Sequence, residues 1–121
     1  MDTLIKALTT ATDMKLDNDL FAYDIPLGKS GAWVADRQTD NLHNGVDYLD
    51  FSIYYRDKSK TSAMKNINYI KNTIDATRLN DSECITVYGK SVRIDMPYSW
   101  DYLEKDSEGY YCFANQLRLY L

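Results

Sequence analysis

Tyr48-Leu49-Asp50-Phe51-Ser52-Ile53-Tyr54-Tyr55-Arg56-Asp57-Lys58-Ser59-Lys60, followed by Ala63, Ile67, Ile70 and Ile74, decides the fold. Leu49, Phe51, Ile53 and Tyr55 alternate with Tyr48, Asp50, Ser52 and Tyr54. Successive side chains of a strand point to opposite faces, so this stretch is a strand with one buried face. Ala63, Ile67, Ile70 and Ile74 then fall at i, i+4, i+7 and i+11, one stripe of a helix running to about Arg78. Ser59 or Thr61 is placed to cap that helix, with Lys71 and Arg78 toward its negative pole. An apolar strand face leading through a charged turn into an apolar helix stripe means a sheet covered by a helix on one side.

Toward the N-terminus, Leu4, Ile5, Leu8 and Ala11 recur at helical spacing, which predicts a helix over 2–12 capped by Asp2 or Thr3. Asp13 to Asp19 is a polar connection, and Phe21, Tyr23 and Ile25 read as a short strand ended by Pro26. Gly28 to Gly31 is a turn, Ala32 to Ala35 a second strand, and Asp36 to Asn44 a polar loop expected to order only against a neighbour. Toward the C-terminus, Ile85 and Val87, a turn at Gly89-Lys90, and Val92, Ile94 and Met96 form a hairpin. Pro97 to Gly109 reads as a second loop carrying Trp100 and Tyr102, also expected to be mobile in the isolated subunit. Tyr111, Phe113, Leu117, Leu119 and Leu121 share one face of a closing strand, interrupted by Asn115. The resulting order is α-β-β-β-α-β-β-β: a single α+β domain over 1–121, its mostly antiparallel sheet packed on one face by two helices.

Composition narrows the classes of function. At 121 residues, 45% apolar and 26% charged, the chain can bury one core and is not disordered. Residues 2–6 give no cationic segment before an apolar run, no stretch has the ~18 apolar residues of a membrane span, and a cytosolic site of synthesis is expected. Cys84 and Cys112 then read as free, partly buried thiols. A net charge of −4 argues against binding nucleic acid through its phosphates. The charge is segregated: 9 acids and 4 bases over 1–50, 2 and 6 over 51–80, 7 and 4 over 81–121. A basic middle between acidic flanks can steer like subunits head to tail. Tyrosine stands out at 11 residues, a side chain suited both to strands and to surfaces buried against partners.

Chemistry-bearing patterns do not assemble. The single histidine, His43, sits in a polar loop. Gly28-Lys29-Ser30 and Gly89-Lys90-Ser91 lack the glycine five positions earlier that a phosphate loop needs, those positions being Tyr23 and Cys84. Asp13, Asp17 and Asp19 lack the bending glycine and closing glutamate of a calcium loop. Asp36, Asp40, Asp47 and Asp50 read as solvated acids before a catalytic pair, and Asn80-Asp81-Ser82 has no meaning as a glycosylation acceptor without secretion. No catalytic, cofactor-binding or metal-ligating residue is expected, and the chain is read as a binding or assembly protein.

Gly31-Ala32-Trp33-Val34-Ala35, the polar loop after it, and Tyr48 to Lys58 leading into the helix at Ala63 to Ile74 resemble the minor capsid and tail-terminator proteins of tailed bacteriophages. Glu108-Gly109-Tyr110-Tyr111-Cys112-Phe113 with Leu117-Arg118-Leu119 is similar to the closing strand of that family. The resemblance implies a structural virion protein, made in the host cytoplasm. It would form a ring, usually a hexamer, that caps the tail tube between the major tail protein and a head-side connector. A head-completion protein is the neighbouring reading. From a different class, a small cytosolic module with a groove between sheet and helix, lined by Trp33, Tyr54 and Tyr55, stays open. For the ring, the expected subunit-interface residues are Arg56, Lys58 and Lys60 in the basic turn, with Trp100 and Tyr102 in the second loop.

Overall fold

A computed structural model describes residues 1–36, 42–43, 46–79 and 85–120. The elements run α1 (Asp2–Ala11), β1 (Leu20–Ala22), β2 (Gly31–Asp36), β3 (Leu42–His43), β4 (Val46–Asp57), α2 (Lys60–Leu79), β5 (Ile85–Val87), β6 (Lys90–Asp95), β7 (Asp101–Lys105) and β8 (Tyr111–Tyr120). The fold is α+β, with two more strands than the sequence pattern reveals, β3 and β7. The sheet runs β1-β2-β4-β8-β6-β5, with β3 on β4 and β7 on β8. Among the described residues every strand pair is antiparallel except β1 with β2.

Strands β4 and β8 form the spine, paired from Tyr48 against Tyr120 to Asp57 against Tyr111. The other edge of β8 is divided between two strands. Residues 93–95 of β6 take its C-terminal end, and β7 takes residues 111–114, with a register shift between Tyr102 and Glu104.

The period-2 and helical patterns set which side chains are covered. Phe51, Ile53 and Tyr55 of β4, Val34 of β2, Ile94 of β6, and Phe113, Leu117 and Leu119 of β8 are buried with Leu4, Ile5, Ala7 and Leu8 of α1. The predicted stripe of α2 belongs to the same core, with Ala63, Ile67, Ile70 and Ile74 at 0, 2, 2 and 0% exposure. Each isoleucine buried that fully contributes roughly 1.5–3 kcal/mol of transfer free energy. Ser59 caps α2, its Oγ accepting from the Ser62 amide at 3.2 Å.

Several expectations change. Neither Asp2 nor Thr3 caps α1: its N-cap is Met1, without a side-chain bond. The first strand is shorter than its alternation suggested, because Tyr23 turns into left-handed backbone (φ 69°) and Leu20 and Phe21 are both buried. Leu49 shares a face with Phe51 yet is 42% exposed, so alternation fixed its side of the sheet but not its cover. Lys71 lies mid-helix and does not serve the helix end. Its ammonium donates to Asp75 Oδ1 at 3.0 Å and to the Met96 carbonyl at 2.7 Å, tying α2 to the end of β6. The segment expected as a loop from Pro97 to Gly109 contains β7, closed onto β8 by Asp106. The Asp106 carboxylate accepts from the amides of Glu108 (3.0 Å) and Tyr110 (2.9 Å), replacing turn bonds that water would otherwise supply. Of the loop from Asp36 to Asn44, Asp36 ends β2 and Leu42–His43 pair with β4; the remainder lies outside the described residues.

Candidate assembly surface

With both helices on one side, the opposite face of the sheet carries no helix among the described residues and is covered at its β1 end, where Phe21 is buried and the 26–29 loop lies over Arg56. Tyr48, Asp50, Ser52, Tyr54 and Arg56 of β4 point there, facing Tyr120, Arg118, Gln116, Ala114 and Cys112 of β8. Nearly all are half-buried: neighbouring side chains shield one another while leaving one surface open. Trp33 of β2 stacks on Tyr54 with ring centroids 5.3 Å apart, and Tyr48 meets Tyr120 at 5.7 Å. Among the described side chains of β4 on this face Asp50 is the buried one, 8% exposed; Arg118 Nε donates to its Oδ1 at 3.1 Å, and the Arg118 guanidinium lies 4.9 Å from the Tyr48 ring centroid. These cross-strand pairs make a rigid aromatic and polar plate. Trp33, Tyr54 and Tyr55 do not line one groove between sheet and helix, because Tyr55 faces the helices while Trp33 and Tyr54 face away.

The basic turn sits at one end of the plate. Arg56 donates from Nε to the Lys29 carbonyl (2.8 Å) and from a terminal nitrogen to the Pro26 carbonyl (2.7 Å), with its guanidinium 4.5 Å from the Tyr110 ring centroid. It thereby fixes the 26–29 loop to the sheet. Lys58 lies 5.2 Å from the Tyr110 ring and Lys60 5.8 Å from the Tyr102 ring, so the basic turn is organised around two aromatics.

Lys60, Trp100 and Tyr102 come together at a cleft of about 390 Å³ between α2 and β7, floored by Ile67 and Phe113. Arg56 and Lys58 are not part of it. Tyr102 is 51% exposed and packs edge-on against Phe113 at 5.4 Å. Trp100 Nε1 is buried without a hydrogen-bond partner among the described residues, a state that costs about 1–3 kcal/mol. No sequence pattern marks Met64 and Asn68 of the cleft, since both are surface positions of an amphipathic helix.

The residues weighed for chemistry are scattered. Gly28 and Gly89 are turn residues, each with φ 77°. Asp19 spends its carboxylate on the Lys15 amide. Asp36 is exposed at the end of β2 while Asp50 is held by Arg118, so these two acids form no pair. The side chains of Asp40, His43 and Asp47, the Asn80-Asp81-Ser82 triplet and Cys84 lie outside the described residues. No group of three His, Cys, Asp or Glu is placed to hold a metal among the described residues. Cys112 is a free, half-buried thiol. Burial, then the charges of Asp106 and Glu104, push its pKa up, which keeps it protonated and a poor nucleophile. The Tyr55 hydroxyl is likewise structural, accepting from Asn66 Nδ2 at 2.7 Å and donating to Asp57 Oδ2 at 3.2 Å. No described helix is long and apolar enough to cross a membrane.

Compared with known proteins, the chain matches no family model and no curated sequence.

Proposed function

We propose that this chain is a structural ring subunit of a tailed bacteriophage, sitting at the head–tail junction, where it ends growth of the tail tube and joins the tail to the head connector. The observation that carries the reading is the tyrosine distribution. Of the 11 tyrosines only Tyr55 and Tyr110 are buried. Tyr48, Tyr54 and Tyr120 lie half-buried on the helix-free sheet face and Tyr102 on the cleft. Large amphipathic rings held open on rigid strands are the material of subunit contacts, which need area and shape and no bond chemistry. A head-to-tail ring of an asymmetric subunit has two different faces, as a piece between tube and connector requires. The family resemblance of the β2, β4–α2 and β8 segments points the same way.

The test is a phage from which the coding sequence is deleted. The expected products, by electron microscopy, are filled heads beside unjoined tails, some of them overgrown. Emptied heads beside finished tails of normal length would replace this reading with head completion.

A further inference from the structure

We infer that the cleft between α2 and β7 receives the opposite edge of a second copy of this chain, the acidic loops flanking β1 over residues 12–30. The inference rests on the ring proposed above in taking another copy as the occupant.

The two surfaces match in chemistry. Around the cleft, Met64 is 43%, Tyr102 51% and the adjacent Leu103 53% exposed. Among the described residues the charged ones lining it are Lys60 and Lys71, and Lys71 is already paired with Asp75. On the other edge, Leu16, Tyr23 and Leu27 are 47, 56 and 86% exposed. Among them stand Asp13, Asp17, Asp19 and Asp24, four acids against two bases, Lys15 and Lys29. Each surface thus offers exposed apolar side chains, with cations lining the cleft beside Asp101 and Glu104 of β7 and a net excess of two acids along the edge, so the lining of the cleft and the edge differ in sign.

Geometry makes the contact intermolecular. From β1 through β2, β4 and β8 to β7 is four strand spacings, about 19 Å, so a subunit cannot fill its own cleft. Two clefts face to face would oppose lysine to lysine, and two edges would oppose acid to acid. The pairing that avoids both is head to tail, the arrangement that closes into rings. The edge is also held in a presenting position. Arg56 clamps the Pro26 and Lys29 carbonyls, and Gly28 turns in left-handed backbone between them, so Leu27 is kept out in solvent. Arg56 is therefore a positioning residue for this contact, while Lys60, Trp100 and Tyr102 belong to the receiving side.

Sedimentation velocity on the purified chain, with two single variants and their mixture, tests the contact. Met64→Glu puts an acid in the cleft, and Leu27→Lys puts a cation on the edge; circular dichroism checks that each keeps the native fold. If Met64→Glu does not, Asn68→Glu on the exposed side of the same helix takes its place. The wild-type chain is expected to self-associate, more weakly as salt rises, and each variant alone to associate at least about tenfold more weakly. An equimolar mixture should give one-to-one dimers and nothing larger, since each variant keeps one working surface. A wild-type chain that stays monomeric at millimolar concentration, or a mixture that stays monomeric, overturns the contact. Variants that assemble like wild type overturn it while leaving a ring by other surfaces. The morphology of the deletion phage is read independently, so loss of this contact and loss of the head–tail role are separate results.

Discussion

Tyr55 shows how one residue can serve core and surface at once. Its ring is buried under α2 and its hydroxyl ends in the bonds to Asn66 and Asp57. Burial pushes its pKa from 10.0 to about 12, the charge of Asp57 adds to this, and the bond from Asn66 works against it. The folded state thus holds the proton more tightly than the unfolded one. The stability this supplies is complete below pH 10.0 and is lost as pH climbs through about 12. Urea unfolding across that window should show an alkaline decline in wild type that is shallower in Tyr55→Phe; equal slopes would remove Tyr55 as its source. Ile70, 2% exposed against the sheet, carries a simpler expectation. Ile70→Ala should cost roughly 2–5 kcal/mol through lost transfer energy and a cavity. Lys65→Ala, on the exposed side of the same helix, should stay within about 0.5 kcal/mol. Equal unfolding midpoints for the two would contradict the packing of α2.

At the level of elements, the parallel pair β1–β2 depends on a close approach that one glycine permits. Gly31 has φ 145°, and a Cβ there would lie 2.9 Å from the Asp19 carbonyl oxygen, which already accepts from the Ala32 amide at 3.0 Å. A side chain must push that carbonyl away or break the bond. Gly28, with φ 77° and open space around it, has only the backbone strain to bear. Gly28→Ala should therefore cost about 1–2 kcal/mol and Gly31→Ala clearly more, measured by chemical denaturation. If both cost the same, the packing of Gly31 on Asp19 is not what demands glycine. The β7–β8 hairpin depends in the same local way on Asp106, whose carboxylate organises the turn.

For the whole molecule, the fold partly intermixes the charges segregated along the chain, since Asp57 lies in the basic turn and Asp101 and Glu104 flank the Tyr102 ring that Lys60 covers. Lys58 and Lys60 stand at one end of the sheet beside Tyr110 and Tyr102, and the acids of 13–24 flank the far edge. Reversing both to Glu should slow assembly of the proposed ring, most at low salt, because exposed charges are screened beyond about 8–10 Å at physiological ionic strength. Stability should change by no more than about 1 kcal/mol, the worth of exposed cation–π contacts. Stopped-flow light scattering at several salt concentrations measures the rate; a double variant that assembles as fast as wild type would show that the basic turn does not steer it.

Local pattern alone was enough for the α+β class, the buried stripe of α2, the inner face of β4 and β8, and the β5–β6 hairpin. Those features are set by short-range periodicity, since 3.6- and 2-residue repeats decide which side chains leave water together. It did not reveal β3 or β7. The signal for β3 was the Asn44-Gly45 pair before Val46, the dipeptide a two-residue hairpin favours. β7 had no signal, because all five of its side chains are exposed and no alternation of burial marks it; only the free edge of β8 makes it a strand. The expected interface residues were legible as charged and aromatic side chains, but not their grouping. Lys60, Trp100 and Tyr102 meet across about forty residues of chain because β8 places β7 beside α2. Arg56 reaches the 26–29 loop on the helix-free face because Gly31 pairs with it across β2 and β4. Long-range pairing of this kind is fixed by the register of the sheet, and no local pattern encodes it.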